Sequence, residues 1–270
     1  MLVSIITATY NDGEFLRETI NSVLNQTYSE WEWIVVNNGS TDSTSEILDS
    51  VSDKRIIVKH LRQNVGVSAG RNAAIEIAKG DFLCFLDGDD ILPERSIESR
   101  ILIFEKDEKL EFVDGKVISF IGDVSNVVHT YLPSFKGNPS SELIGLTGSV
   151  FRGNTWMLRK VAGKRYKFHE ELSHGEELLL YLELCESGLF SYTEEPVLLY
   201  RNRNSSAMTN LRGLETGYAQ LIQHLKHMDH FSAKQKHAFR LRVRSIMFRS
   251  YLKQFQAFKS IVVWIKFSFA

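Results

Sequence analysis

The chain has 270 residues, of which 43% are hydrophobic and 24% are charged. This length is enough for one large domain, or for one domain with an appendage. The formal net charge of -1 argues neither for nor against binding to nucleic acid. We expect no nucleic-acid partner. Cys84 and Cys185 fit neither a zinc-ligand spacing nor a disulfide framework, so we expect both to be buried apolar residues.

The N-terminus does not resemble a secretion signal. Residues 2–6 form a short strand-like run, without the basic segment, the long apolar segment and the cleavage site of a signal peptide. No stretch approaches the length of a membrane span. We therefore expect the protein in the cytoplasm, either free or in peripheral contact with the inner face of the membrane.

Residues 1–110 alternate short apolar runs with segments of helical periodicity. Buried strands are predicted at residues 3–8, 33–36, 56–58 and 82–86. Helices are predicted at residues 14–26, around 47–51, at 67–79 and after Pro93. Strands that alternate with helices of about a dozen residues indicate βαβ units and a parallel sheet. The sequence therefore predicts an α/β protein.

The pattern is weaker after residue 110. Later elements are predicted as one or two strands at 111–122, a loop at 134–148, a helix at 175–187 and a strand at 197–200. From Leu211 onward the chain is predicted to be mainly helical. We therefore predict one domain at residues 1–210 and a C-terminal helical extension at residues 211–270.

The strand at residues 82–86 runs directly into the carboxylates of Asp87, Asp89 and Asp90. In open α/β sheets, ligands bind beyond the carboxyl ends of the strands. Carboxylates this close repel one another unless a cation or hydrogen-bond donors offset their charge. Mg²⁺ or Mn²⁺, which prefer oxygen ligands and often bind substrate phosphates as well, therefore fit this position. The alternative is a solvated acidic turn that opens the next helix.

Five segments follow one another with a familiar order and spacing: residues 3–11, 22–27, 35–42, 64–72 and 85–90. Together they resemble the family 2 glycosyltransferases, which have the Rossmann-like GT-A fold. The resemblance is close over residues 1–105, resumes at 168–203 and is poor between about 110 and 150. It implies that a sugar is transferred from a nucleotide-activated donor to a hydroxyl acceptor, with inversion at the anomeric carbon.

The resemblance also implies roles in donor binding. Ala8, Tyr10 and Asn38 fall at positions that hold the base in the family. Asp87 and Gly88 belong to an Asp-x-Asp motif, with Asp87 near the ribose. The family usually has a carboxylate where Asn38 stands. An asparagine oxygen can still accept a hydrogen bond from a base, so we favour a UDP-sugar as the donor.

The same motif implies that Asp89 binds the metal, Mg²⁺ or Mn²⁺, with Asp87 as a further ligand. Arg71 falls at a family position near the nucleotide. The alternative for Arg71 is a surface helix residue that pairs with a nearby acid.

An acceptor hydroxyl needs a carboxylate base on the face opposite the leaving group. In the family the base belongs to a Glu-Asp pair at a helix start, which corresponds here to Glu176 and Glu177. Because the family uses the second residue of the pair, we assign Glu177 as the base, with Glu176 as the fallback. Successive helix residues point about 100° apart, so only one of the two is expected to face the cleft directly. Without the resemblance, the pair is typical of acids favoured by the dipole at a helix N-terminus.

Three further groups of residues each have two interpretations. His169 and His174 either touch the metal or diphosphate, or are surface or packed residues. Trp156 either stacks on an acceptor sugar or packs in the core. Arg201 and Arg203 either close over the diphosphate or pair with surface acids.

Residues 231–270 carry nine Lys and Arg and no Asp or Glu, with aromatic and aliphatic residues between the charges. Basic residues beside an apolar face are typical of an interfacial membrane helix. The alternative is a C-terminal helix that packs on the acidic remainder of the chain.

The leading hypothesis is therefore an inverting glycosyltransferase that builds a cell-surface polysaccharide or a lipid-linked glycan, with a glycan or a lipid-linked molecule as acceptor. A nucleotidyltransferase that makes sugar nucleotides would need a Gly-rich, basic loop after the first strand. Residues 7–13 contain one Gly and no Lys or Arg, which counts against it. A third hypothesis is a non-catalytic protein that binds nucleotide sugars without turnover.

Overall fold

The computed structural model describes residues 1–203 and 210–269. The strands in these ranges are β1 (Val3–Thr9), β2 (Trp31–Asn38), β3 (Ile56–Leu61), β4 (Phe82–Phe85), β5 (Leu110–Phe120), β6 (Val127–Tyr131), β7 (Met157–Arg159) and β8 (Leu189–Arg201). The helices are α1 (Leu16–Leu24), α2 (Thr44–Asp49), α3 (Val67–Ile75), α4 (Ser96–Phe104), α5 (Ser140–Gly145), α6 (Glu176–Leu184), α7 (Leu211–Lys226), α8 (Ala233–Lys253) and α9 (Ala257–Phe269). Strands and helices alternate up to α4, which confirms the predicted α/β class.

The strands form one sheet, most of whose pairings are parallel. Its first half, in the order β3-β2-β1-β4, is entirely parallel, so the carboxyl ends of these strands lie at one edge. β7 pairs antiparallel with both β4 and β5. β6 pairs antiparallel with the last part of β5, and β8 runs parallel to β5.

The side chains of β2 show why the parallel half reads as continuous apolar runs. Ile34 and Val36 belong to one hydrophobic cluster, whereas Trp33 belongs to the other. Because successive residues of a strand point to opposite faces, a sheet covered on both faces needs apolar side chains at every position. Cys84 of β4 is likewise a buried free thiol, as predicted.

The structure differs from the prediction after residue 110. Residues 111–120 belong to a single long strand, β5, which is one of the two predicted arrangements. The strand predicted at 197–200 is the end of the much longer β8. The pairing of β8 with β5 shifts in register near Pro196, and such an irregularity hides the strand from a pattern of simple alternation. The predicted loop at 134–148 contains α5, in which Leu143 and Ile144 are buried.

The C-terminal helices share a hydrophobic core with the sheet. Phe239 and Val243 of α8 are fully buried and belong to the same cluster as Ile6 and Leu83 of the sheet. This cluster therefore includes residues on both sides of residue 210, and the division into two domains stays a prediction.

Asp114 in β5 is a buried carboxyl group whose pKa is raised to about 7, mainly by loss of hydration. Thr155 donates a hydrogen bond to Asp114 Oδ2 at 2.9 Å. Because the unfolded chain releases this proton at lower pH, the free energy of unfolding should fall as pH rises from about 4 to about 7, by about 1.4 kcal/mol per pH unit. Asp114→Asn should remove this contribution in urea unfolding at pH 5, 6 and 7. An unchanged slope would contradict the assignment.

Candidate active site

The sequence-predicted donor positions meet at the carboxyl edge of the parallel strands. Ile6 of β1 pairs with Phe85 of β4, so the ends of these two strands are neighbours. Ala8 and Asn38 lie near the ends of the adjacent strands β1 and β2. Asp87 follows β4 at the same edge, which is where open α/β sheets bind ligands.

Gly88 lets the acidic turn after β4 (residues 87–90) approach the loop after β1. A Cβ atom at Gly88 would lie 2.6 Å from Thr9 Oγ1 and 2.7 Å from Asp12 Oδ2, so a larger residue could not fit without a shift of its neighbours. The Thr19 hydroxyl holds the same turn by donating to the carbonyl oxygen of Gly88 at 3.0 Å. Gly88 therefore sets the backbone position of the motif, and its contact with a nucleotide sugar stays a prediction.

Asp89 carries a charge that its surroundings do not fully offset. Its pKa is raised to about 6, because burial and the neighbouring Asp87 disfavour the ionised form more than Arg203 favours it. Arg203 Nε lies 2.9 Å from Asp89 Oδ2, but its N–H is not aligned for a hydrogen bond. An additional cation near Asp89 would therefore be favoured.

Arg203 also contacts Asp12, a residue that no sequence motif singles out. Arg203 donates to Asp12 Oδ1 at 2.9 Å, and the Thr9 hydroxyl donates to Asp12 Oδ2 at 2.8 Å. Asp12 is buried beside the acidic turn. In the sequence it reads as one residue of an ordinary turn, and its only signal is a carboxylate that follows closely after a buried strand.

Arg201 fastens the acidic turn to the end of β8. Its backbone amide donates to Asp90 Oδ1 at 2.8 Å, and its Nε donates to the Asp89 carbonyl oxygen at 2.8 Å. Its guanidinium also pairs with Glu18, an exposed residue of α1, at 2.7 Å. Burial and then the charges of its neighbouring aspartates raise the pKa of Asp90. Of the two interpretations of Arg201, the structure shows pairing with an acid.

Arg71 connects the acidic turn with the start of α6. It is 2% exposed, and its guanidinium donates to Asp87 Oδ1 at 2.8 Å and to Glu177 Oε1 at 3.1 Å. Glu176 Oε1 lies 3.6 Å from the nitrogen that contacts Glu177. Burial opposes the charge of Arg71, but these three carboxylates outweigh it and raise its pKa. Arg71 is therefore not a surface residue, and its contact with the nucleotide stays a prediction.

Glu176 and Glu177 both point toward Arg71, whereas the helical spacing predicted that only one would face the cleft. A glutamate side chain is long enough to bring its carboxylate back toward a common partner. The Glu176 side chain is 8% exposed and that of Glu177 is 19% exposed. Burial and the charge of Glu177 raise the pKa of Glu176 to about 7. Glu177 is thus the more accessible of the two to an acceptor.

The side chain of Asn38 is already engaged with the loop that precedes α3. Its amide donates to Asn64 Oδ1 at 3.1 Å and to the Gly66 carbonyl oxygen at 3.0 Å, and its oxygen accepts from the Val65 amide at 2.9 Å. A base could use only the remaining lone pair of this oxygen. Tyr10 is 43% exposed at the same edge of the sheet.

The acidic turn fits a divalent cation with oxygen ligands. The side chains of Asp87 and Asp89 are 43% and 19% exposed, so both are open to an ion. Burial and then the charge of Asp87 raise the pKa of Asp89, and a divalent cation would offset both effects. Mg²⁺ and Mn²⁺ prefer oxygen ligands such as these carboxylates. An ion at Asp89 would compete with Arg203. Metal binding here stays a prediction.

Trp156 is part of the core. It is fully buried, and its ring stacks on that of Tyr181 with centroids 4.2 Å apart. Its indole N–H donates to the Val150 carbonyl oxygen at 2.7 Å. Core packing is therefore correct, and stacking on an acceptor sugar is wrong.

The two histidines near α6 have their own protein contacts. His169 contacts Glu171 at 3.2 Å and Glu183 at 2.8 Å. His174 contacts the Ser173 hydroxyl at 3.0 Å. None of these contacts involves a residue of the acidic turn.

The family model described as glycosyl transferase family 2 matches residues 4–165. The chain belongs to glycosyl transferase family 2. The match begins in β1 and extends beyond β7, so it includes the predicted base-binding positions and the Asp-x-Asp turn. The resemblance is thereby confirmed, and this family 2 protein is a transferase enzyme.

Relatives of this family 2 chain include bacterial glycosyltransferases. TuaG of Bacillus subtilis (strain 168), named for teichuronic acid biosynthesis, is 30% identical over 220 residues, which are 77% of this chain and 82% of TuaG. WfaP of Escherichia coli, named UDP-Glc:alpha-D-GlcNAc-diphosphoundecaprenol beta-1,3-glucosyltransferase, is 38% identical over 107 residues. That match spans 40% of this chain and 43% of WfaP.

Solved structures share the fold of this family 2 chain. Residues 1–349 of Staphylococcus aureus TarS, in complex with UDP-GlcNAc, match with a TM-score of 0.79 and 20% identity over 99% of this chain and 79% of theirs. The mannosyltransferase PcManGT of Pyrobaculum calidifontis, in complex with GDP-Man and Mn²⁺, matches with a TM-score of 0.64 and 14% identity over 93% of this chain and 75% of its own. These likenesses confirm the GT-A fold with a C-terminal helical part.

Proposed function

We propose that this enzyme transfers a sugar, with inversion, from a nucleotide-sugar donor to a hydroxyl group of a glycan or lipid-linked acceptor in cell-surface polysaccharide synthesis. The contacts of Arg71 carry the proposal. One buried guanidinium contacts both Asp87 of the acidic turn and Glu177 at the start of α6. These contacts support a single site with a donor side at Asp87 and an acceptor side at Glu177. The name of WfaP, which includes a diphosphoundecaprenol-linked sugar, supports a lipid-linked acceptor.

The proposed reaction is a single in-line displacement. The acceptor oxygen attacks the anomeric carbon while the bond from that carbon to the diphosphate breaks, and Glu177 accepts the hydroxyl proton. Arg71 orients Glu177 through its hydrogen bond of 3.1 Å. Asp87 and Asp89 would hold Mg²⁺ or Mn²⁺, which when bound offsets the negative charge of the released nucleoside diphosphate.

A donor-hydrolysis assay over a panel of nucleotide sugars, with and without Mn²⁺, tests the proposal. We expect Mn²⁺-dependent release of a nucleoside diphosphate from at least one donor. Metal-dependent nucleotide binding without turnover on any donor, even with glycan and lipid-linked acceptors added, would favour the non-catalytic alternative. Release of pyrophosphate from a nucleoside triphosphate and a sugar phosphate would favour a nucleotidyltransferase.

We propose UDP as the nucleotide of the donor. The remaining lone pair of the Asn38 oxygen and the UDP-sugars in the TarS complex and in the name of WfaP support this choice. In a competition titration with Mn²⁺, UDP should bind at least as well as GDP, and Asn38→Ala should reduce the discrimination between them. Asn64→Ala, which disturbs the same loop but keeps the Asn38 oxygen, should leave the discrimination intact. A clear preference for GDP or CMP would overturn the choice.

We further propose that α9 makes peripheral contact with an anionic membrane surface. Among the described residues, no helix has the length and apolarity needed to cross a membrane. Val263 and Phe267 of α9 are buried, so one face of the helix packs on the protein. A second apolar stripe, spaced as on one helix face, is 46–79% exposed and consists of Phe258, Ile261, Val262 and Ile265. The nine basic and no acidic residues of 231–270 favour an anionic partner for this stripe.

The full-length protein should float with phosphatidylglycerol vesicles in a density gradient, and less so as salt screens the charges. The triple variant Phe258→Ser, Ile261→Ser, Ile265→Ser should no longer float, because it removes exposed apolar area without touching the buried face of α9. The pair Val127→Ser, Val128→Ser alters equally exposed residues of β6 and is the control that should still float. A native protein that never floats would leave only the packing role for α9.

A further inference from the structure

A second cluster of metal-ligand side chains lies between the loop before α6 and the end of α7. His169 and Glu171 belong to that loop, and His224 lies in the last turn of α7. One ring nitrogen of each histidine and one carboxylate oxygen of Glu171 all lie within 4.8 Å of one another. We propose that these three side chains bind a zinc ion.

The distances between the ligand atoms suit zinc. His169 Nδ1 and His224 Nε2 each lie 3.2 Å from Glu171 Oε1. In a tetrahedral zinc site with bonds of about 2.0–2.1 Å, ligand atoms are about 3.3 Å apart. Two of the three separations therefore already match, and the third, at most 4.8 Å, would contract by no more than about 1.5 Å on binding. The three side chains are 28–54% exposed, so an ion can enter and water can supply a fourth ligand.

The two carboxylate contacts of His169 also favour a metal ion in this cluster. Its Nε2 lies 2.8 Å from Glu183 Oε1, and its Nδ1 lies 3.2 Å from Glu171 Oε1. A neutral imidazole has a single N–H and can donate to only one of these carboxylates. If Nε2 donates to Glu183, the Nδ1 lone pair faces Glu171, and a cation between them replaces repulsion with coordination. A carboxylate that receives the other ring N–H is the usual partner of a metal-bound histidine.

The ligand types favour zinc over the ions expected at the acidic turn. Two imidazoles and one carboxylate are typical of Zn²⁺ sites, whereas Mg²⁺ and Mn²⁺ prefer oxygen ligands throughout. A zinc ion would also balance the charges of Glu171 and Glu183 while both histidines stay neutral.

The ion would fasten the loop before α6 to the C-terminal helices. Gln220 of α7 already donates to the Glu171 carbonyl oxygen at 3.1 Å, so the two segments are in contact. The same loop leads directly into Glu176 and Glu177. Zinc would therefore hold the segment that carries the proposed base, acting through structure and not through contact with the substrate.

Calorimetric titration of metal-free protein with Zn²⁺ tests the site directly. The Asp89→Asn variant serves as the background, because it removes the charge of one of the two ligands proposed for the acidic turn and so weakens metal binding there. We expect one equivalent of Zn²⁺ to bind, and the further double substitution His169→Ala, His224→Ala to abolish that binding. Glu183→Gln should weaken it by about 10–100-fold, the usual effect of losing a carboxylate behind a metal-bound histidine. His227→Ala, an exposed residue just after α7, is the matched control and should keep the affinity.

Two further measurements separate a zinc site from a loss of fold. Zn²⁺ should raise the melting temperature of the control and leave that of the double variant unchanged, because an ion that binds only the folded state stabilises it. X-ray absorption of the zinc-loaded protein should show two imidazole nitrogens. Equal zinc affinity in the double variant and the control would overturn the proposal. An absence of binding would overturn it as well.

Discussion

Replacing Glu177 by glutamine is expected to lower the rate of sugar transfer by roughly 10²–10⁴-fold, the usual contribution of a positioned general base. Glutamine keeps the size of the side chain and can still accept the hydrogen bond of Arg71, but it cannot take up the acceptor proton. Affinity for donor and metal should be retained, because Asp87 and Asp89 are unchanged. Steady-state transfer kinetics, together with a nucleotide titration, measure both quantities.

Glu176→Gln is the matched variant for this experiment. Glu176 approaches the same nitrogen of Arg71, but its side chain is less exposed than that of Glu177. Burial and the charge of Glu177 raise its pKa to about 7, which favours an uncharged side chain at this position. We expect a smaller loss of rate than in Glu177→Gln. A near-native rate in Glu177→Gln with an inactive Glu176→Gln would exchange the two roles, and activity in both variants would place the base outside this pair.

Replacing Asp89 by asparagine should abolish both metal-dependent nucleotide binding and transfer. The substitution removes the charge of the proposed metal ligand and leaves Arg203 without one of its two carboxylate partners. Asp87→Asn should weaken nucleotide binding less completely, because Asp89 would remain. Calorimetric titration with UDP at fixed Mn²⁺ measures the effect.

The control for Asp89→Asn is Asp229→Asn, an exposed residue between α7 and α8. It makes the same chemical change away from the acidic turn and should bind UDP as the native protein does. Unchanged Mn²⁺-dependent affinity in Asp89→Asn would rule out the metal role of Asp89. If the native protein bound UDP equally well with and without Mn²⁺, Arg203 would instead be the group that supplies the positive charge at the acidic turn.

The elements of the parallel half could be predicted because their signals are local. A buried parallel strand is a short apolar run, and the runs at residues 3–8 and 82–86 correspond to β1 and β4. Trp156 shows where such signals stop. The three residues before it, Gly153, Asn154 and Thr155, are small or polar. Its burial depends on Tyr181, which comes from another element of the fold.

The candidate site likewise contains residues that a local motif reveals and residues that only the fold brings together. Asp87 and Asp89 stand in one contiguous motif, so the sequence shows them together. The contact of Asp12 with Arg203 joins residues 191 positions apart, and no local pattern encodes it. The hydrogen bond between Arg71 and Glu177 spans 106 positions. The family resemblance therefore implies that Arg71 lies near the nucleotide, but it does not indicate that Arg71 links two groups of carboxylates.

The hydrophobic cluster shared by the sheet and the C-terminal helices affects how the protein is made. Leu143 and Ile144 of α5 are synthesised well before Phe239 and Val243 of α8, which belong to the same cluster. Until α8 and α9 have emerged, the nascent chain cannot complete this core and keeps apolar surface exposed to solvent. Such surface promotes aggregation and recruits chaperones. Completion of this core therefore awaits the synthesis of α8 and α9, although the residues proposed for catalysis are all made earlier.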